Sequence, residues 1–344
     1  MSIILACDRS AGHIFPAMSI ACSFKKDEGY RQKKVYIFSS SKHLSKVLKE
    51  KGFLTFGKSF GHRLLPLELI WRFFESIYFI IRLKPSIIIG FGGRDSFFIV
   101  LIGSLLGIKT YIYEPNRQMG RANKILYRFV KKIFWGFPPI TKIAKSEIIG
   151  VPLRRSLKPI DKKEARKRLG FGDEIVMLCL GGSQGSSFLN RQFLKYVKSV
   201  KFRLGVIHLT GAKDYLEILE IYNRMSINKV VKDFYFDVAL LYSAADVVVS
   251  RAGAVTLGEL SYFGLPSVLI PLSLADGHQE KNALYCKEKE SAIVYLQRDF
   301  SFDKFKASLD ELISNSELRL SLSRNAKRLN KGICCEEIKI TSFI

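Results

Sequence analysis

The stretch from Arg251 to Ala283, RAGAVTLGELSYFGLPSVLIPLSLADGHQEKNA, holds the residues best suited to binding an anionic ligand. The apolar run from Val247 to Ser250 ends at Arg251-Ala252-Gly253-Ala254, where small residues leave backbone N–H groups uncovered. The pattern predicts a helix from about Val255, whose first turn carries unpaired amides and a partial positive charge. Such a helix end suits a phosphate. Glu259, just inside this helix, can accept hydrogen bonds from the vicinal hydroxyls of a ribose. A strand over 267–271 follows, and Asp276-Gly277-His278-Gln279 then offers polar side chains at the same strand-end level. A nucleotide-sugar fits between two such loops. Each piece alone also has a plain reading: turn chemistry for the glycine loop, a first-turn carboxylate facing the dipole for Glu259, a helix cap for Gln279.

The elements that must position these residues alternate. Ile3 to Cys7 reads as a buried strand, followed by the loop DRSAGHIFPA and a helix with Pro16 near its first turn, where proline is tolerated. Strands are expected at Lys34 to Ser39, Ser86 to Ile89 (ending in Gly90-Phe91-Gly92-Gly93) and Lys109 to Tyr113 (leading to EPNRQMGRANK), with helices at 41–51 and 97–106. After Gly150-Val151-Pro152-Leu153-Arg154-Arg155 the pattern turns polar, and we set a domain boundary there, giving domains 1–153 and 154–329. The second half repeats strand, glycine loop and helix. VMLCL leads to Gly181-Gly182-Ser183-Gln184-Gly185-Ser186, a strand covers 205–209, and VKDFYFD and DVVVS precede the stretch described first. Helices are expected at 303–314 and 317–329, and the segment 330–344 is expected to return to the first domain. Such alternation indicates doubly wound α/β sheets with ligands at the strand C-termini.

The 344 residues carry a net charge of +24. Residues 1–150 hold 25 Lys and Arg against 9 Asp and Glu, so two thirds of the excess lies in the shorter half. That field attracts polyanions, either nucleic acid or an anionic membrane surface. No nucleic-acid motif accompanies it, and nucleic acid ranks last as a partner. Six cysteines without CxxC spacing argue against structural zinc and against a disulfide framework. Met1 leads straight into a strand pattern, and no signal peptide is read. Over 64–84, Glu68, Arg72, Glu75 and Arg82 fall on one helical stripe and nearly everything else is apolar or aromatic. Charges interrupt this stretch too often for a membrane span. It is either a helix buried on most sides or an amphipathic one whose Trp71, Phe74 and Tyr78, with Phe73 and Phe79, enter a bilayer interface.

Assembled, these residues resemble the MurG family, GT-B glycosyltransferases that add N-acetylglucosamine (GlcNAc) from UDP-GlcNAc to lipid I in peptidoglycan synthesis. The resemblance rests on AGHIFPA at 11–17, GFGG at 90–93, EPN at 114–116 with Ala122-Asn123-Lys124, GVPLR at 150–154, GGSQGS at 181–186 with Leu189-Asn190, RAGAVTLGE, and His278-Gln279 with Asn282-Ala283. It implies a GT-B α/β fold of two doubly wound, Rossmann-like domains facing a cleft, the first for the acceptor and the second for the donor. It implies that Ser183 and Gln184 approach the diphosphate, that Arg154 reaches the nucleotide, and that Tyr235 occupies the uracil-reading position. Ala254, Val255, Thr256, Leu257 and Gly258 would form the helix end on the phosphates, Glu259 would take the ribose and Gln279 the sugar hydroxyls. Ser10, Ala11 and Gly12 would face the donor sugar and Asn116 would point into the cleft.

The implied reaction is inverting transfer to the 4-hydroxyl of MurNAc in lipid I, giving lipid II. Stabilising a leaving diphosphate needs pre-aimed amides and positive charge, and no DxD pair offers to hold a divalent ion, so neither metal nor cofactor is expected. A base must take the proton of the incoming hydroxyl. His13 is the first candidate, its other reading being a histidine that satisfies its own turn, and Glu114 is the second, as base or orienter. His43, His62 and His208 read as structural. Implied partners are UDP-GlcNAc, a polyprenyl-pyrophosphate-linked acceptor, an anionic inner-membrane surface and other cell-wall synthesis proteins, at the cytoplasmic face of the bacterial inner membrane as a peripheral protein. The chain departs from the family in its first loop, where Asp8-Arg9-Ser10-Ala11-Gly12-His13 stands for Gly-Gly-Thr-Gly-Gly-His, and near Gly93, where Arg94-Asp95 replaces a tyrosine. Asp8 and Arg9 are candidates to pair with each other or with the acceptor pyrophosphate. Rival readings are a GT-B enzyme with another lipid acceptor, a UDP-GlcNAc 2-epimerase, and a UDP-sugar-binding scaffold.

Overall fold

A computed structural model of the chain describes residues 2–8, 11–39, 48–49, 53–56, 65–182, 184–273 and 277–329. The chain forms two compact units that divide between Arg155 and Ser156. The expected return of 330–344 to the first domain, and most of the expected helix at 41–51, lie outside the described residues.

The first unit holds a seven-stranded parallel sheet. Its strands are β1 (Ser2–Ala6), β2 (Lys34–Phe38), β3 (Leu54–Phe56), β4 (Pro85–Gly90), β5 (Lys109–Glu114), β6 (Lys132–Trp135) and β7 (Ser146–Ile148), in the order β3-β2-β1-β4-β5-β6-β7. Strands of a parallel sheet with both faces covered read as unbroken apolar runs. The run Ser2–Ala6 is buried throughout. Side chains alternate along it, so Ile3 and Leu5 join the core on one face while Ile4 and Ala6 join that on the other. Strands β6 and β7 have no counterpart in the sequence reading. They are short, and a four-residue apolar run among lysines carries little periodicity.

The helix expected over 64–84 spans Leu65–Leu83 and is inverted relative to an ordinary surface helix. Glu68, Arg72 and Ser76 are buried, whereas Leu67, Ile70, Trp71, Phe74, Tyr78 and Ile81 stand exposed, Phe74 by 62% and Tyr78 by 50%. The reading of a helix buried on most sides is therefore corrected: its inner face is a narrow stripe of Glu68, Arg72, Ser76 and Ile80, while Arg82 of the expected charged stripe is exposed. Arg72 explains the inversion. Its guanidinium lies 2.5 Å from Glu75, 3.2 Å from Asp95 and 3.8 Å from Glu68. Asp95 belongs to the next helix, Arg94–Leu105, so the ion cluster fastens the two helices together. A buried arginine is tolerable only with such partners.

The second unit repeats the topology with six parallel strands, β8 (Ile175–Leu180), β9 (Leu204–Leu209), β10 (Asn228–Lys232), β11 (Val247–Ser250), β12 (Ser267–Leu269) and β13 (Ile293–Val294), ordered β10-β9-β8-β11-β12-β13. Strand β12 stops two residues short of the expected 267–271. The helix after β11 is Ala254–Phe263, and the chain closes on Phe302–Ser314 and Ser316–Leu329.

Candidate functional site

In the second unit the strand order reverses between β8 and β11, whose last residues, Leu180 and Ser250, are register partners. Ligands of open parallel sheets bind outside such a switch point. The loop after β8 turns back on itself through Gly185, whose φ is +72°. A Cβ there would run into the carbonyl of Thr210, which starts the loop after β9. Only glycine fits this close approach. Ser186 then caps the helix Ser187–Ser199, its hydroxyl accepting from the Leu189 amide. Gln184 lies in this turn and is exposed, while Ser183 lies outside the described residues.

The loop after β11 ends at Gly253, the N-cap of Ala254–Phe263, where no side chain caps the helix. The amides of Ala254, Val255 and Thr256 therefore have no partner within the helix. The expectation for Leu257 and Gly258 is corrected: the Leu257 amide already donates to the Gly253 carbonyl, both residues are buried, and Gly258 lies deeper in the helical ladder. Glu259 is buried and accepts a 2.8 Å hydrogen bond from the Tyr242 hydroxyl, which fixes one carboxylate oxygen. Gln279 opens the helix His278–Glu288, and its side-chain oxygen accepts from the Leu272 amide at 3.0 Å. Its amide N–H groups remain for a ligand. Tyr235 is half-buried in the loop after β10. His208 is buried, with contacts of 3.1 Å to both Asn190 and Tyr222, and burial pushes its pKa down to about 3, so it stays neutral as a structural group.

Sequence reasoning passed over Arg251 as a functional residue. Its guanidinium donates to the Ser186 hydroxyl from Nε (3.1 Å) and Nη2 (2.7 Å), and from Nη1 to the carbonyls of Ile270 (2.8 Å) and Pro271 (3.1 Å). One side chain thus ties together the loops that follow β8, β11 and β12. A cation directly after the buried run VVVS was the available signal.

The first unit reverses its strand order between β1 and β4, where Ala6 and Gly90 pair. Gly93, at φ +83°, caps Arg94–Leu105, and a Cβ on it would collide with the Asp8 side chain. His13 sits in the first turn of the helix Ala11–Lys26, at whose start Ala11 and Gly12 also lie. A Cβ on Gly92 would come within 3.6 Å of His13 Nε2 and 3.4 Å of Asn123 Nδ2, so imidazole and carboxamide flank the same turn. Pro16 is the sixth helical residue and not near the start as expected. With no N–H, it leaves the Gly12 carbonyl without its helical donor, beside His13. Ser10 and Arg9 lie outside the described residues, and with them the suggested Asp8–Arg9 pair.

Glu114 is buried and saturated. Oε1 accepts from the Asn116 amide and side chain, and Oε2 from the Gly120 amide and Asn123 Nδ2, all within 3.1 Å. Four donors hold the carboxylate in place and leave it no direction toward a substrate proton. This favours the orienting role over the base, and it spends the Asn116 side-chain N–H on Glu114. Arg154, expected with the donor domain, lies in the first unit, its guanidinium 4.4 Å above the Phe15 ring. Among the described residues no group of three or more His, Cys, Asp or Glu gathers as metal ligands would.

The chain matches the glycosyltransferase family 28 N-terminal domain over residues 3–135 and the family's C-terminal domain over 176–333. It is 30% identical to the UDP-N-acetylglucosamine--N-acetylmuramyl-(pentapeptide) pyrophosphoryl-undecaprenol N-acetylglucosamine transferase of Thermoanaerobacter sp. (strain X514), covering 98% of both chains. It is 31% identical to the enzyme of that name from Bdellovibrio bacteriovorus, over 95% of this chain and 94% of the relative. Among solved structures, Acinetobacter baumannii MurG matches with a TM-score of 0.77 at 21% identity, covering 99% of this chain and 98% of that one. A UDP-GlcNAc 2-epimerase from Neisseria meningitidis matches with a TM-score of 0.71 at 11% identity, over 98% and 97%, a likeness of fold alone.

Proposed function

The chain belongs to the MurG family of glycosyltransferases, and we propose that it transfers GlcNAc from UDP-GlcNAc to the MurNAc 4-hydroxyl of lipid I, forming lipid II for peptidoglycan synthesis. The observation that carries this reading is the second unit's switch point. There a glycine turn, a helix start uncapped by any side chain and a fixed carboxylate at Glu259 supply what a uridine diphosphate needs.

In this reading the acceptor oxygen attacks the anomeric carbon as the bond to UDP breaks. The amides of Ala254, Val255 and Thr256 meet the charge that develops on the leaving diphosphate, with Gln184 in the loop after β8; the family resemblance assigns Ser183 and Arg154 to the same ligand. Glu259 takes the ribose hydroxyls, Tyr235 lies at the uracil, and the Gln279 amide N–H groups bind sugar hydroxyls. His13 removes the acceptor proton, beside Ala11, Gly12 and the Asn116–Glu114 network. Preset amides and cations meet the diphosphate charge without requiring a metal ion or cofactor.

The acceptor carries a polyprenyl tail, so the enzyme must work at a membrane. No helix among the described residues is long and apolar enough to cross one. The outward face of the helix Leu65–Leu83, with Trp71, Phe74 and Tyr78, fits insertion into a bilayer interface, and the basic first half fits anionic lipid. In our reading the protein works peripherally on the cytoplasmic face of the bacterial inner membrane. The test is transfer of radiolabelled GlcNAc from UDP-GlcNAc to a lipid I analogue. A β-1,4-linked disaccharide product supports the reading, whereas free N-acetylmannosamine or no product at all contradicts it.

A further inference from the structure

Arg251 is 6% exposed, and the groups its guanidinium meets among the described residues are neutral: the Ser186 hydroxyl, the Ile270 and Pro271 carbonyls, and the Phe188 ring at 5.9 Å. No carboxylate among the described residues pairs with it. The titratable side chain beside it is Cys179, whose thiol burial holds well above its usual range and therefore uncharged. Burial lowers the Arg251 pKa, but a guanidinium keeps its proton in proteins. Among the described residues, the switch point of the second unit therefore encloses a positive charge with no counter-charge of its own. The fold of the first unit handles the same problem differently, surrounding Arg72 with three carboxylates. A buried ion left without an opposite charge is costly, and sites retain one where a ligand supplies the opposite charge.

The surroundings say which ligand. Ser186, which the guanidinium bonds, caps Ser187–Ser199, and Ala254–Phe263 starts three residues after Arg251, so helix N-termini of like sign flank this residue. We propose that Arg251 is a positioning residue for a pyrophosphate group. Held under the loops by its four hydrogen bonds, it fixes their shape and supplies the positive charge that the diphosphate neutralises. The proposal rests on the donor-site reading above. It adds that preference for the diphosphate over the bare nucleoside comes in large part from a side chain locked into the protein.

The test compares UDP with uridine, which shares the base and ribose but has no charge, by calorimetry on the intact chain at fixed salt. Arg251→Gln is expected to lower UDP affinity by about tenfold or more while leaving uridine affinity within about twofold, since a buried charge acts on charge alone. Arg251→Lys keeps the charge but lacks the planar fork, and is expected to retain the UDP-to-uridine preference within about threefold while unfolding at lower temperature. An unchanged preference in a folded Gln variant overturns the proposal. Should that variant not fold, loss of the preference in the Lys variant overturns it instead. If the unaltered chain binds uridine and UDP equally, the proposal fails and nucleotide binding stands; if it binds neither, the donor-site reading itself has failed.

Discussion

The two switch points share one topology and solve two different problems. In the second unit the strand ends are lined with backbone: Gly185 presses against Thr210, the helix at Ala254 begins bare, and the positive charge of Arg251 is buried with no carboxylate partner among the described residues. In the first unit they are lined with side chains: Asp8 against Gly93, His13 and Asn123 against Gly92, Glu114 gathering four donors, Arg154 over Phe15. Backbone amides cannot titrate or change identity without rebuilding a loop, so they suit a fixed anion. Side chains suit proton transfer, since they can titrate.

Perturbing each side separately tests that division. His13→Ala should lower kcat by roughly a hundred- to ten-thousandfold, the usual span for a lost general base, with UDP binding unchanged by calorimetry. A fall in UDP affinity of the same size would merge the two sites into one. Arg72→Ala should destabilise the first unit by about 3–5 kcal/mol, because it strands buried carboxylates; a lower first transition in thermal unfolding, with the UDP-stabilised transition in place, checks this. Gly185→Ala introduces both a φ conflict and a clash and should weaken UDP binding by about ten- to a hundredfold, for roughly 1–3 kcal/mol of strain. Gly182→Ala, at φ +85° but in open space, should cost less in the same titration. The smallest effect concerns location: Trp71→Glu with Phe74→Glu should release the protein from vesicles containing anionic lipid while leaving the UDP affinity unaltered. Retention of the double variant would remove that face from the membrane account.

The same contrast governs what could be read from the sequence. Glycine loops after apolar runs announce strand ends, and both switch-point loops were legible from Gly90–Gly93 and Gly181–Ser186. Periodicity located the helix Leu65–Leu83 and its charged stripe, but periodicity does not say which stripe faces inward. That was decided by Asp95, a partner on another element. Arg154 fell on the wrong side of the boundary because its contact, Phe15, lies far off in the chain. Glu114 was legible as an acidic loop residue, yet its saturation by Gly120 and Asn123 depends on how the loop closes. Arg251 stood in plain view, but that no carboxylate among the described residues pairs with it is a fact of three dimensions.

The central claim is that the second unit grips a uridine diphosphate through its backbone. Calorimetric titration of the folded chain with UDP-GlcNAc and with UDP tests it most directly. The account predicts saturable binding of both at one site, weakened in Gly185→Ala and kept in His13→Ala; no heat with either ligand would contradict it.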